Sequence, residues 1–282
     1  MVDCRHIVVG QISQLGRTLW RLTDEFGQFV CFCGSVLGWM VRDVVKARRW
    51  QLVLPQFYEV GTRSIPVVMI VGGFIGMVLA VEAYDQFAAI GQESRLGNVI
   101  NISVVKQIGP VLAAVMLAGR VGGAFAAELG TMTVTEQVDA LRVMAAHPIS
   151  YLVVPRVLAC IVMIPILTVV SDLLGIFGGW FITVQVFGVN SQVYWQNSAS
   201  FVQTWDISTG LIKSVFFGLA IGLISCYKGF YCQRGAQGVG RAATDAFVTS
   251  FIAIIVLNFF LATFVKDLYT IIYGYGGLTA FG

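Results

Sequence analysis

The chain has 282 residues, of which 57% are hydrophobic and only 12% charged, with a formal net charge of +3 and a mean hydropathy of +0.81. A water-soluble domain needs more polar surface than this, so the composition excludes one and indicates a polytopic membrane protein. Its apolar segments lack the alternation in polarity over about ten residues that barrel strands would show, so an outer-membrane barrel is excluded as well.

At the N-terminus, Asp3, Arg5 and His6 precede no cleavable apolar core, and membrane entry is expected to rely on internal spans. Residues 13–50 are ambiguous. Leu15, Leu19, Leu22 and Phe26 give an amphipathic pattern, while Phe26–Val41 is apolar but, at about 16 residues, short for a span. Flanked by Arg21 and by Arg42, Lys46, Arg48 and Arg49, this region reads as an elbow helix in the membrane interface, with a re-entrant or sixth span as the alternative.

A hydrocarbon layer of roughly 30 Å requires about 20 apolar residues of a helix. Five segments meet that need: Ile65–Val81, Val99–Gly119, Val157–Val184, Leu211–Tyr227 and Ala246–Val265. Lysine and arginine collect on the cytoplasmic side of short loops. An N-terminus inside places Arg5, Arg17, Arg21, Arg42, Lys46, Arg48, Arg49, Arg63, Arg120, Arg142, Arg156, Lys228, Arg234 and Arg241 there, against Arg95, Lys106, Lys213 and Lys266 on the other side. The 120–156 and 228–245 loops are then cytoplasmic, and the 82–98 and 185–210 loops and the C-terminus external.

Within the first span, Glu82 and Asp85 close the helix near the headgroup zone. In the second, Lys106 and Gln107 lie inside the outer half, and an intramembrane charge by default marks a functional site. No acid stands three or four residues from Lys106, where Ile102, Ser103, Gly109 and Pro110 are found. The lysine is therefore expected to face an outward-opening cavity with Gln107 and Asn101 and to meet a lipid phosphate; a structural bridge to Glu82 or Asp85 is the rival reading. Arg120 ends this span.

Between the second and third spans, Ala127–Met144 is polar and acidic. Thr133 is expected to cap a helix with Glu136 in a capping box, and Val134, Val138, Leu141 and Ala145 to share one face, leaving Glu136, Asp139 and Arg142 pointing elsewhere. By physics alone this is either a docking element for a soluble partner or an ordinary loop helix. His147 beside Pro148 ends it. In the third span Asp172 sits mid-way, either as a packing hydrogen bond or as a pathway residue.

Glycines recur four apart at Gly72/Gly76, Gly119/Gly123, Gly175/Gly179 and Gly218/Gly222, which permits close helix approach in a tightly packed bundle or a dimer. The six cysteines show no CxxC pair and only His6 and His147 are present, so no disulfide framework, metal centre or cofactor is implied. Gly238-Val-Gly240-Arg-Ala-Ala243 matches a dinucleotide fingerprint but follows a membrane span instead of a strand. With no GxxxxGK[ST] motif, any energy must come from another subunit.

Taken together, Lys106-Gln-Ile-Gly-Pro110, Ala118-Gly-Arg120, Ala127-Glu-Leu-Gly-Thr-Met132, Thr135-Glu-Gln-Val-Asp-Ala-Leu141 and Gly238-Val-Gly-Arg-Ala-Ala-Thr244 resemble the MlaE-type permeases of MCE-associated ABC transporters. The likeness extends to Tyr58-Glu-Val-Gly-Thr-Arg-Ser-Ile-Pro66 and Leu167-Thr-Val-Val-Ser-Asp-Leu-Leu-Gly175. The resemblance implies an all-α membrane protein with an N-terminal interfacial elbow helix (1–61), a transmembrane domain of five helices (62–282) and a cytoplasmic coupling helix (133–146). It implies a non-catalytic permease in the bacterial inner membrane: a homodimer with two ATP-binding subunits on the cytoplasmic face and an MCE-domain lipid-binding protein on the periplasmic side. Phospholipid or a related lipid is the implied substrate, and nucleic acid is not a partner. Lys106, Gln107, Asn101 and Glu82 would then belong to the lipid cavity, and Glu128, Glu136, Asp139 and Arg142 to ATPase coupling. Asp172 and Arg120 would be intramembrane polar groups. Family members often carry an acid after the base in the second span, and here that place holds neutral Gln107. A lipid-modifying enzyme would need a cluster of nucleophile, base or metal ligands, and an ion-coupled carrier usually shows an internal repeat of broken helices; neither is visible.

Overall fold

The computed structural model describes residues 4–44 and 50–273, and every element among them is helical. In chain order these are α1 (Cys4–Val44), α2 (Trp50–Val60), α3 (Ile65–Ala89), α4 (Leu96–Ser103), α5 (Gly109–Leu117), α6 (Gly123–Val134), α7 (Gln137–Val143), α8 (Val154–Phe181), α9 (Ser191–Phe201), α10 (Thr204–Phe230) and α11 (Ala236–Tyr273). Joined through short 3-10 and π segments, they form five runs long and apolar enough to cross a membrane: Gln51–Ala89, Leu96–Val134, Ile149–Val186, Thr204–Phe230 and Ala236–Ile271. All five expected spans are present. Each run is longer than its apolar centre, because a helix of 39 residues extends nearly 60 Å at about 1.5 Å per residue, well beyond the hydrocarbon layer.

Alternation of the runs gathers the beginning of α3, the end of α6, α7, the start of α8, the end of α10 and the start of α11 at one end of the bundle. This end holds Arg63, Arg120, Arg142, Arg156, Lys228, Arg234 and Arg241. Lys46, Arg48, Arg49 and the C-terminal residues expected outside the cell lie outside the described residues.

The glycine pairs explain how the runs approach. Hydrophobicity gives helices no mutual attraction in lipid, so close backbone contact must come from small residues. A Cβ at Gly72 would stand 2.6 Å from the Ser171 carbonyl, and one at Gly218 2.6 Å from that of Cys160. The first and fourth runs thus both seat on α8 through glycine. Gly119 faces the Phe247 ring of α11 at 3.4 Å. Within the chain, these glycines pack one helix closely against another.

Three apolar clusters follow. The central one contains Leu117, Phe125, Ile164, Leu167, Phe217, Ile221 and Ile254. A second, at the basic end, joins Leu129, Val138, Val153, Val157 and Cys226 to Phe32 and Val36 of α1. The third, at the opposite end, holds Ala80, Leu96, Ile100 and Val104. α1 is therefore seated by one stripe, Phe29, Phe32, Val36, Trp39 and Met40, while Phe26, Val30, Leu37 and Val41 remain exposed. α1 as a whole has an amphipathic periodicity and is not one of the five spanning runs, but Phe26 of the expected stripe is exposed and the stripe that packs lies further along the helix.

Candidate functional site

The second run is a helix interrupted twice by π turns, Val104–Ile108 and Ala118–Gly122. A π turn re-aims the side chains it carries and often occurs at functional sites. The first contains Lys106 and Gln107 and ends two residues before Pro110. Proline has no N–H to give to the preceding turn, and the Lys106 carbonyl in that turn accepts from the Lys213 ammonium at 3.4 Å.

Opposite lies the start of α10. Asp206, Thr209 and Lys213 recur at helical spacing on one face of that helix, and all three are buried. The Lys106 ammonium donates to Asp206 Oδ1 at 2.8 Å, while Lys213 Nζ donates to Gln107 Oε1 at 2.6 Å. Asp206 Oδ2 accepts from the Gln203 backbone N–H at 3.3 Å, and its place in the first turn of α10 suits a carboxylate, since the helix dipole is positive there. Two cross-helix pairs thereby clamp the π turn to α10.

These groups line a cavity of about 490 Å³ completed by Ile102, Phe201, Gln203, Trp205, Thr209 and, from α11, Ala262, Val265, Lys266 and Tyr269. Its volume suits a small ligand or a lipid segment, and it combines a few converging polar groups with apolar walls. The expectation of an uncompensated Lys106 is corrected: its acid is Asp206, one hundred residues away in sequence, and neither Glu82 nor Asp85. Glu82 is exposed on α3 and does not line the cavity. Asn101 is also elsewhere. Its amide donates to Ser198 Oγ at 2.8 Å and its Oδ1 accepts from the Tyr194 hydroxyl at 3.2 Å, in a buried network fastening α9 to α4. Burial pushes the Tyr194 phenol up to about 12. Asp206 and Lys213 were missed as site residues, though a polar stripe at positions 206, 209 and 213 within an apolar helix was the available signal.

At the basic end, the expected capping box is not formed. α6 continues through Thr133 to Val134, and the Thr133 hydroxyl donates back to the Leu129 carbonyl at 2.9 Å. Thr131 and Thr135 bond back in the same way, to Ala127 and Thr131, so threonines that offered a cap satisfy their hydroxyls inside the turn instead. The reversal comes at Glu136, whose φ of 60° is left-handed and whose side chain makes no cap. The helix there is accordingly only Gln137–Val143, not one beginning at Thr133.

Val138 is buried and Leu141 packs against the same cluster. Ala145, expected on this face, is exposed with a φ of 58°. Glu136, Asp139 and Arg142 are exposed, the last two paired at 2.8 Å, and Val143 and Met144 stand 88% and 68% bare. A neighbouring hollow is lined by Arg142, His147, Pro148, Phe230 and Tyr231 among others, and the His147 ring lies 4.7 Å from that of Trp39 on α1.

Glu128 is exposed too, but its partner lies inward. It pairs with buried Arg156 at 2.9 Å, whose guanidinium also donates to the Leu152 carbonyl and covers the Phe125 ring. Arg120 donates to the Ser64 hydroxyl, which in turn donates to the Val60 carbonyl at 2.6 Å. The second run is thus tied to the break between α2 and α3. Asp172 packs against the backbone of Gly109, and its Oδ1 is buried without a hydrogen-bond partner among the described residues.

The sequence profile of the family described as Permease MlaE matches residues 53–264. A Rickettsia bellii protein named "Probable ABC transporter permease protein" is 38% identical over 247 residues, 88% of this chain and 94% of that protein. The intermembrane phospholipid transport system permease protein MlaE of Haemophilus influenzae is 32% identical over 260 residues, 90% of this chain and 97% of that one. TRIGALACTOSYLDIACYLGLYCEROL 1 of Arabidopsis thaliana, a chloroplast protein, is 34% identical over 230 residues, 81% of this chain and 66% of its own length. With a family profile spanning most of the chain and relatives of this similarity covering nine-tenths of it, this multi-pass membrane protein is a member of the MlaE permease family.

Proposed function

We propose that this chain is the permease subunit of an ABC transporter that moves phospholipids or related lipids. The observation that carries the reading is the cavity in which Lys106, Asp206, Gln107 and Lys213 meet apolar walls at the end away from the basic loops. Such a site offers charge-assisted hydrogen bonds to a phosphate and a dry surface to an acyl chain. The name of the Haemophilus relative supports the same substrate class, and that of the Rickettsia relative the same kind of machine.

In this reading the basic end faces the bacterial cytoplasm, because lysine and arginine are retained there. Two copies of the chain work with two ATP-binding subunits docked on α7, and an MCE-domain partner receives or delivers lipid on the periplasmic side. Residues 1–61 supply the interfacial elbow and 62–282 the transporting domain. ATP is hydrolysed on the partner. α7 is suited to relay that event: Val138 and Leu141 anchor it in the cluster that also holds α8 and α10, while Glu136, Asp139, Val143 and Met144 face outward.

The test is reconstitution. The chain co-expressed with its ATP-binding subunit and placed in proteoliposomes with a fluorescent phospholipid should show transfer to a lipid acceptor that requires ATP. Absence of a co-purifying ATPase, or transfer driven equally well by an ion gradient without ATP, would overturn the proposal.

A further inference from the structure

The charges lining the cavity do not balance. Lys106, Lys213 and Lys266 bring three amines and Asp206 the single carboxylate among the lining residues. That carboxylate is already engaged, with Oδ1 on Lys106 and Oδ2 on the Gln203 N–H. Lys213 is only 1% exposed, and the groups it touches, Gln107 Oε1 and the Lys106 carbonyl, are both neutral. A glutamate has the shape of glutamine and would neutralise Lys213 from the same position; Gln107 supplies a hydrogen bond and no charge. A buried ammonium held only by neutral acceptors is costly, and an anion beside it relieves the cost.

The surroundings say which anion. Ile102, Phe201, Trp205 and Val265 give the amines an apolar neighbour, so the ligand is an amphiphile and not a free phosphate. A zwitterionic headgroup carries its own ammonium, which three lysines repel.

Resting on the lipid-permease reading above, we infer that this cavity selects lipids whose headgroup is net negative over zwitterionic ones, with Lys213 positioned by Gln107 as the selecting residue. Retained lipid reads this directly. The assembled transporter is purified from nanodiscs made of equal parts phosphatidylglycerol and phosphatidylcholine with matched acyl chains, and the lipids left on it are counted by mass spectrometry. The wild-type chain should hold phosphatidylglycerol in about tenfold excess, equivalent to about 1.4 kcal/mol against the choline ammonium that the lysines repel. Gln107→Glu should bring the ratio close to parity in a complex that still assembles, and Lys213→Gln should do the same. Excess inorganic phosphate should leave the ratio unchanged.

Equal retention of both lipids by the wild-type complex overturns the charge selection and leaves lipid transport standing. A preference that survives Gln107→Glu overturns the role of that pair. Displacement of lipid by inorganic phosphate overturns the amphiphile in favour of a free anion. A wild-type complex that holds no lipid at all sinks the permease reading itself.

Discussion

Lys106 shows how much of a site depends on a neighbour that sequence cannot see. Its own helix offers no acid, which made a missing counter-charge the reasonable expectation, and the charge arrives instead from Asp206 at the start of α10. Because Asp206 is almost wholly buried, removing its partner should cost more than an exposed pair would. We expect Lys106→Ala to destabilise the chain by about 1–3 kcal/mol. Asp206→Ala added to it should recover part of that loss, since the second change removes the stranded carboxylate. Thermal unfolding of the two single variants and the double variant in detergent checks this; strictly additive losses would show that the two residues do not depend on each other. Glu136 offers a second test at this scale. Its φ of 60° disfavours any side chain, by about 1 kcal/mol or more, so Glu136→Gly should stabilise the turn before α7 while deleting the carboxylate. Weaker coupling of ATP hydrolysis to lipid transfer in a more stable chain isolates the charge as the cause, and unchanged coupling removes Glu136 from the relay.

Elements were read from sequence in proportion to how local their causes are. Five spans were legible because the lipid layer sets their length, whereas the stripe that seats α1, Phe29, Phe32, Val36, Trp39 and Met40, is not the one expected from Leu15, Leu19, Leu22 and Phe26. What the threonines at 131, 133 and 135 do was not legible: an N-cap and an in-helix back-bond use the same hydroxyl, and only the continuation of α6 decides between them. The π turn at Val104–Ile108 was equally hidden, since no residue type marks it, yet it aims Lys106 and Gln107 at α10. Glycine spacing predicted contact but not its partner. The structure assigns Gly72 and Gly218 to α8, where the backbones leave no room for a Cβ. Gly218→Leu should therefore force α10 off α8 and cost more than about 3 kcal/mol, or prevent assembly, whereas Gly240→Leu, with open space around it, should be close to neutral. Comparable stability of the two variants, measured by protein recovered after a heating series, would contradict the packing.

For the whole molecule, the basic end and its opposite define an orientation that single-cysteine labelling can check. Gln237→Cys, exposed at the start of α11, should react only from the cytoplasm, and Gln196→Cys, exposed on α9, only from outside. The reverse pattern would invert both the docking face of α7 and the opening of the cavity. The fold followed from composition and periodicity, while the cavity required the meeting of two helices a hundred residues apart, which is why Lys106 and Gln107 stood out in the sequence as candidates and their cavity neighbours Asp206 and Lys213 did not. If lipid passes through this cavity, photo-crosslinking from its wall will capture it. A photoreactive residue in place of Trp205, in the assembled transporter within native membranes, should capture phospholipid in an amount that changes when ATP is added; the same residue in place of Tyr84, stacked on Phe187 away from the cavity, should show no response to ATP. No lipid adduct at position 205, or identical ATP-independent labelling at both positions, would contradict the account.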